Sequence, residues 1–386
     1  MVFEKSHLKD ILIRSLLLFS FVFVSFSSDF CFGQNKSSYR TVPDSLFVFV
    51  NKNIRTPEFT KVEKYLPPNY VTNASVDYTA YIQKAIDENK RLIMPDFPIL
   101  INTKGLKLRN DQDILFQNNS LLKIEPNNLT HYNIIDIRDV QNVTLYNPKL
   151  EGDKYTHKGN KGEWGMGINI SGGIDITIIN PIIKKCWGDG IYIGKSGSRV
   201  SKNITISGGW IDDNRRNGIS VISVESLSIT NLVISNTFGT LPMAGIDFEP
   251  NKNSEELKDI HLDKVTSYNN EKTGFLIYLG SMLGKESKNI NLSINNSRDY
   301  YSKYAISVPG LKKAYDSSIK RIQGNVQFNN FRGFDNTEFF AKGTGEYIYT
   351  PNIELNNIAI NKKKTRNLKL ESDYNKWFKN KGFSIK

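Results

Sequence analysis

Five short apolar runs in the middle of the chain open on glycine: "GINIS" at Gly167, "GIYIG" at Gly190, "GISVI" at Gly218, "GIDFE" at Gly245 and "GFLIY" at Gly274. Successive glycines lie 23, 28, 27 and 29 residues apart. Between them recurs a second run, begun by Asn, Asp or Ser and alternating in aliphatics: "NVTLYNPKL" from Asn142, "DITIINPII" from Asp175, "NITISGGWI" from Asn203, "SLSITNLVI" from Ser226, "DIHLDKVTS" from Asp259 and "NINLSINNS" from Asn289. A period of this length is that of a solenoid, one unit per turn. Each unit supplies two or three short strands and cannot bury its apolar side alone, whereas stacked units give every strand parallel neighbours. The expected fold is all-β, a parallel β-helix. Asn and Gly supply the left-handed backbone that its sharp corners need. A propeller would also supply many short strands, but no Trp-Asp signature accompanies these. "EGDKYTHKGNKGEWG" (Glu151 to Gly165) breaks the spacing and reads as an insertion bulging from one turn.

Ahead of the coils, Ala80, Ile82, Ala85 and Ile86 form one apolar edge of a short helix, placed to cover the open end of the stack before "RLIMP" begins the first strand. In this tract Asp77, Thr79, Ile82, Gln83, Ala85, Ile86, Asp87 and Pro95 stand as in the opening of the pectin-lyase-like superfamily, which the chain resembles from about residue 70 to about 310. The resemblance implies a right-handed β-helix that acts on or binds polysaccharide.

The apolar stretch "SLLLFSFVFVSF" (Ser15 to Phe26) follows mixed charge and is too short to span a bilayer, so residues 1–33 read as a signal peptide cleaved before Gln34. An exported, periplasmic or cell-surface protein without a membrane span is expected. Residues 34–75 form an N-terminal extension, 76–310 the β-helix, and 311–386 the final coils and a C-terminal cap. Only Cys186 remains after cleavage, and four histidines with one cysteine do not supply the clustered ligands of a zinc or haem site. No cofactor is expected. The chain carries 51 Lys+Arg against 39 Asp+Glu, a balance of +12. For an exported protein this points to an acidic polysaccharide and away from nucleic acid. Oligomeric state is not legible.

Aligning the glycine-opened strands puts Asn169, Tyr192, Ser220, Asp247 and Leu276 in one outward column and Glu249 and Tyr278 beside it. The turns before these strands add Glu163, Trp164, Trp187, Asp189, Asp212, Asp213, Arg215, Arg216 and Asn217. Aromatic faces and guanidiniums are what a sugar carboxylate or sulfate calls for, which makes Tyr192, Arg216, Arg215, Asn169, Trp187, Trp164 and Tyr278 substrate-binding candidates. Asp247 and Glu249 stand roughly 7 Å apart by strand rise. That falls within the carboxylate spacing of about 6.5–9.5 Å that suits inverting hydrolysis. Glu249, beside Phe248 and Pro250, is the expected acid, with Asp247 and Asp189 as base or water-holder. Elimination is the alternative, with Arg215, Arg216 or Lys184 as base and calcium held by Asp189, Asp247 and Glu249.

"GDGIYI" and "NGISVIS" resemble segments of polygalacturonase-type hydrolases, with Asp189 at an acid position but Asn217 where those have histidine and Gly188 in place of a preceding acid. Iota-carrageenase-like hydrolases carry Glu-x-Asp where this chain has Asp-x-Glu. "FEPN" resembles the Phe-Asp-Pro-His of mannuronan epimerases, with Glu249 for the aspartate and Asn251 for the histidine. Hydrolysis of an acidic polysaccharide ranks ahead of elimination, and epimerisation third. A non-catalytic glycan-binding or surface module competes with all three: Asp247 and Glu249 then solvate an outer face, Asp189 caps a turn, Trp164 and Trp187 pack under a loop, and Arg215 and Arg216 are surface charge.

Overall fold

The computed structural model describes residues 39–51, 58–311, 315–343, 345–363 and 365–386; the expected leader lies outside them. Among the described residues the strands form three sheets of twelve, eleven and nine strands, here sheets I, III and II in the order each coil visits them. One coil illustrates the path: Ile174–Ile179 in sheet I, Ile182–Lys184 in sheet III, Ile191–Gly194 in sheet II, then Ser201–Ser207 in sheet I again. Strands pair in parallel with the coils above and below, except at the C-terminal edge, where Ala359–Lys362 meets Thr365–Arg366 antiparallel. The chain is a right-handed parallel β-helix.

Parallel register stacks like on like. Ile176, Ile204, Leu227, Ile260, Leu292 and Val326 form one continuous inward column, and all are buried. The corners are left-handed. Where sheet I turns into sheet III, Asn147, Asn180, Asn231, Lys264, Asn296, Asn330 and Asn357 have φ between 49° and 55°. Asparagine suits the place because it tolerates this backbone and its amide reaches the next coil: Asn180 donates to Asn147 at 3.0 Å and Asn357 to Asn330 at 2.7 Å. The residues that open the second run, Asn142, Asp175, Asn203, Ser226 and Asp259, are left-handed too. The copy read from Asn289 is displaced by two residues, since Ile260 pairs with Leu292 and sets Asp259 level with Asn291.

The repeated glycines have a different cause from the corners. None of the five lies in the left-handed region; instead a Cβ would strike the coil above. At Gly167, Gly190, Gly218 and Gly245 it would come within 2.5–2.7 Å of the next glycine's carbonyl oxygen. At Gly274 it would meet the carboxylate of Asp299 at 2.2 Å. Glycine is selected by close approach.

The ends are closed by different means. At the N-terminal end the helix Thr79–Glu88 buries Thr79, Ile82, Ala85 and Ile86, while Ala80 faces solvent because Thr79, one helical turn before Ile82, takes the inward place. Thr79 and Asn102 are tied to Asp77, and the Gln83 amide both donates to and accepts from the Lys107 backbone. Gln83 thus satisfies the open edge of sheet II. Part of the expected extension joins the stack: Thr60–Lys61 pairs with Leu92 and Ile93. Tyr39 to Val50 runs along sheet III, held by the Asn236 amide at Arg40 and the Asn180 amide at Val50. Beyond residue 310 the coils continue to Lys362, and the helix Leu368–Asn380 then places Trp377 and Phe378 against Phe340 and Phe383.

Two predictions follow from the packing. Gly218→Ala should lower unfolding stability by about 1–3 kcal/mol in denaturant titration, since its Cβ meets backbone that cannot step aside. Burial pushes the fully enclosed Asp299 up to about 7, against hydrogen bonds from Ser267, Ser302 and Asn336 that pull the other way. The folded state therefore binds this proton more tightly than the unfolded chain, and the contribution is present at low pH and lost as pH rises through about 7. Asp299→Asn should gain on the parent, on the order of 2 kcal/mol, between pH 5 and pH 8.

Candidate active site

Register builds the column directly: Asp136, Asn169, Tyr192, Ser220, Asp247 and Leu276 are successive partners on sheet II. The alignment continues past the strand ends, where the Glu249 N–H donates to Val221 and the Tyr278 N–H to Phe248. Asp189 lies in the turn before its strand and accepts from the Asn217 N–H at 3.0 Å.

These groups meet at one cation. Arg216 places Nη1 3.2 Å from Asp189, Nη2 3.4 Å from Glu249 and Nε 3.3 Å from Glu163. It also donates to the Ser220 hydroxyl at 3.2 Å. Burial alone would weaken its charge, but Asp189, Asp247, Glu249 and Glu163 together outweigh that and raise its pKa. The acids divide by depth: Asp189 and Asp247 are fully buried, whereas the Glu249 and Glu163 side chains are 29% and 46% exposed.

Asp247 accepts from the Asn217 amide at 3.1 Å, and its other oxygen is buried without a hydrogen-bond partner. Burial first, then repulsion from Glu249, pushes its pKa well above the usual carboxylate range. Asp189 is raised as well, by burial, with Arg216, Ser220 and the Asn217 N–H opposing. Two expectations change here. The less polar setting belongs to Asp247, because Phe248 points into the core and Glu249 faces Arg216. The two carboxyls lie close enough for Glu249 to raise Asp247, nearer than the gap that seats a water in an inverting pair.

The insertion 151–165 decides the fate of other candidates. Its Asp153 accepts from Tyr132 and the Asn127 amide and lies 2.8 Å from His157, whose ring stacks on Trp187 at 3.9 Å. Lys154 donates to Asp213 at 2.7 Å. Trp187 is therefore 8% exposed, a packing residue under the loop and not a sugar platform. Arg215 lies over Trp187 and donates to the carbonyls of Gly162 and Trp187, so it clamps the loop and not a substrate. Lys184 belongs to sheet III, with its ammonium 3.3 Å from the Trp210 ring centre, and is removed from these acids. Asp212 is engaged there too, by Tyr39, Ser235 and Asn236.

What the loop presents outward is Glu163 and Trp164. Trp164, 45% exposed, stacks on His131 and lines a groove with Asn169 and Tyr192. Tyr278 is exposed one coil beyond Glu249. His131, Asp136 and Arg138 also line this surface from the strand His131–Arg138. The glycine alignment passes over them because that strand opens on histidine; the alternation in "HYNIIDIR" was the available signal. Among the described residues no cluster of three or more His, Cys, Asp or Glu is arranged to hold a metal ion. The cation shared by Asp189 and Glu249 is Arg216. Among the same residues no helix is long and apolar enough to cross a membrane.

Comparison with known proteins agrees with the architecture. A family model described as "Right handed beta helix region" matches residues 99–253. The match falls within the coils and agrees with the right-handed parallel β-helix fold of this chain. It is 26% identical over 162 residues to the SPbeta prophage-derived protein YorA of Bacillus subtilis (strain 168), a stretch covering 38% of this chain and 28% of that relative. The chain thus spans little more than a quarter of that relative's length. The A-module of a mannuronan C-5 epimerase from Azotobacter vinelandii superposes with TM-score 0.51 at 14% identity, covering 78% of this chain and 88% of that one. An iota-carrageenase complexed to iota-carrageenan fragments superposes with TM-score 0.52 at 12% identity, covering 77% and 76%. At these identities the likeness is one of fold.

Arg216→Met leaves the buried acids without their cation and should cost about 3–5 kcal/mol of unfolding stability. Loss of the cation raises the folded-state pKa of Asp189 and Asp247 further above the unfolded value, so the deficit should be larger at pH 8 than at pH 5. Denaturant titrations at the two pH values measure it.

Proposed function

We propose that the protein is an exported enzyme that hydrolyses glycosidic bonds of an acidic polysaccharide along sheet II. The observation that carries this reading is the carboxyl pair on Arg216, with Asp247 sealed behind Glu249 at the surface and pushed toward its neutral form by burial and by Glu249. Glu249 is the group that reaches substrate, and it protonates the leaving glycosidic oxygen while the neighbouring Asp247 resupplies the proton. Glu163, the other surface carboxylate on Arg216, takes the proton of the water that attacks the sugar carbon. Asp189 acts as a positioning residue, since both its oxygens lie within reach of Arg216. The same contacts weigh against elimination: Arg216 is held charged, Arg215 is bound to backbone, and Lys184 lies on another sheet.

Full burial of Asp189 and Asp247 favours a second reading, a glycan-binding β-helix module without turnover. Incubation with uronate-containing and sulfated polysaccharides separates the two. Hydrolysis yields new reducing ends without the ultraviolet absorbance of an unsaturated product, elimination yields both, and the module binds and yields neither. Glu249→Gln should lower kcat by about 10²–10⁴-fold while sparing binding. Activity should also decline as pH rises through the elevated Asp247 value, because the proton to be delivered is then absent.

A further inference from the structure

From Tyr192 toward the first coils, away from the acid pair, sheet II carries a groove of about 370 Å³. Its floor and its rim differ in character. Trp164 lies against His131 with ring centroids 4.2 Å apart and planes 28° from parallel. Such an exposed pair supports no core, and the indole presents a broad apolar face of the kind a sugar ring covers. At the rim stand two cations. Arg138 is about half exposed and pairs through Nε with Oδ2 of Asp136 at 3.6 Å, while the amides of Asn169 and Asn133 donate to the other oxygen of that carboxylate. The Lys195 ammonium donates to Ser254 at 2.9 Å, and among the described residues no carboxylate pairs with it. Arg138 is level with Ser171 and Ser171 with Gly194, so Lys195 follows the same line by one residue. One end of the groove therefore carries two cations, Arg138 with one long ion pair through Nε and Lys195 with no carboxylate partner among the described residues, and the other end an aromatic face.

We infer that this groove is an anion-selective glycan subsite: Trp164 and His131 at one end of the strand carry one sugar ring, and Arg138 with Lys195 at its other end pair with the carboxylate or sulfate of another unit. A guanidinium offers two parallel donors to either anion, and an ammonium adds a point charge. The inference rests on sheet II being the glycan surface proposed above and adds the class of sugar and the direction of the polymer. Four rungs separate the strand of Arg138 from that of Glu249, roughly 19 Å at about 4.8 Å per rung. Arg138 and Glu249 thus share one row parallel to the solenoid axis, so an anionic unit held at Arg138 anchors the polymer several sugars from the bond at Glu249.

The test uses the full mature protein carrying Glu249→Gln, so that turnover does not consume the probe. Binding is measured at two salt concentrations to polygalacturonate, its carboxyl-reduced form, and dextran sulfate, which present carboxylate, neutral sugar and sulfate respectively. Adding R138A and K195A should weaken binding to the anionic polymers by about tenfold or more and flatten its salt dependence. The carboxyl-reduced polymer should bind this variant and its parent alike. Trp164→Ala should weaken every polymer that binds. All three positions are at the surface, and unchanged thermal unfolding confirms that the fold is intact. If the double variant holds anionic polymers as tightly as its parent, the subsite is wrong while the glycan surface stands. If the parent binds none of the polymers, the glycan surface is wrong and the subsite falls with it.

Discussion

Backbone hydrogen bonds run from coil to coil along the solenoid axis, and every side chain owes its neighbours to them. A parallel ladder leaves no freedom of register once one residue pair is set, so a given position on the coil meets its own counterpart in the coils before and after. The inward isoleucine columns, the asparagine corners and the glycine line are three outcomes of this rule, each selecting a residue type for a different reason: burial, left-handed backbone and lack of room for a Cβ. The same ladder acts on the outer face. It assembles Asn169, Tyr192, Ser220 and Asp247 from strands that are far apart in sequence, without any local motif joining them.

Electrostatics then gives that face its organisation. Four carboxyls near one another in a partly buried setting repel, and each loses hydration. Two responses follow: the Arg216 charge is placed among them, and burial with repulsion from Glu249 pushes Asp247 toward its neutral form. Arginine suits this position because its fork can meet Asp189 on one nitrogen and Glu163 and Glu249 on the other two. The result is layered. Neutral or pinned acids lie beneath, and two carboxylates remain at the surface with a cation between them.

Away from the acids the outer face changes sign, with Arg138 and Lys195 beside the exposed Trp164 and His131. The insertion 151–165 connects the two regions. Its buried half, Asp153, Lys154 and His157, is packed against Tyr132, Trp187 and Asp213, and its outer end delivers Glu163 to Arg216 and Trp164 to the groove.

The solenoid, its period, the capping helix and the outward column from Asn169 to Leu276 were legible in the amino-acid sequence, because each follows from the geometry of one coil repeated. A pattern of alternation and turn residues survives insertions, and "Asp-x-Thr" with Gln83 announces the cap through bonds made within a few dozen residues. The strand His131–Arg138 was hidden only by its lack of an opening glycine. Which candidate faces a ligand was a different matter. Trp187 and Trp164 are equivalent on paper, as are Asp247 and Glu249, yet one of each pair is enclosed and the other open; Arg215 and Arg216 are both half-buried, one held by loop carbonyls and the other by the acids. That division depends on where an irregular loop lands and on how charges from separate coils share one guanidinium. Periodic backbone geometry is written locally, whereas burial and ionisation are properties of the assembled stack, and only the tertiary structure decided them.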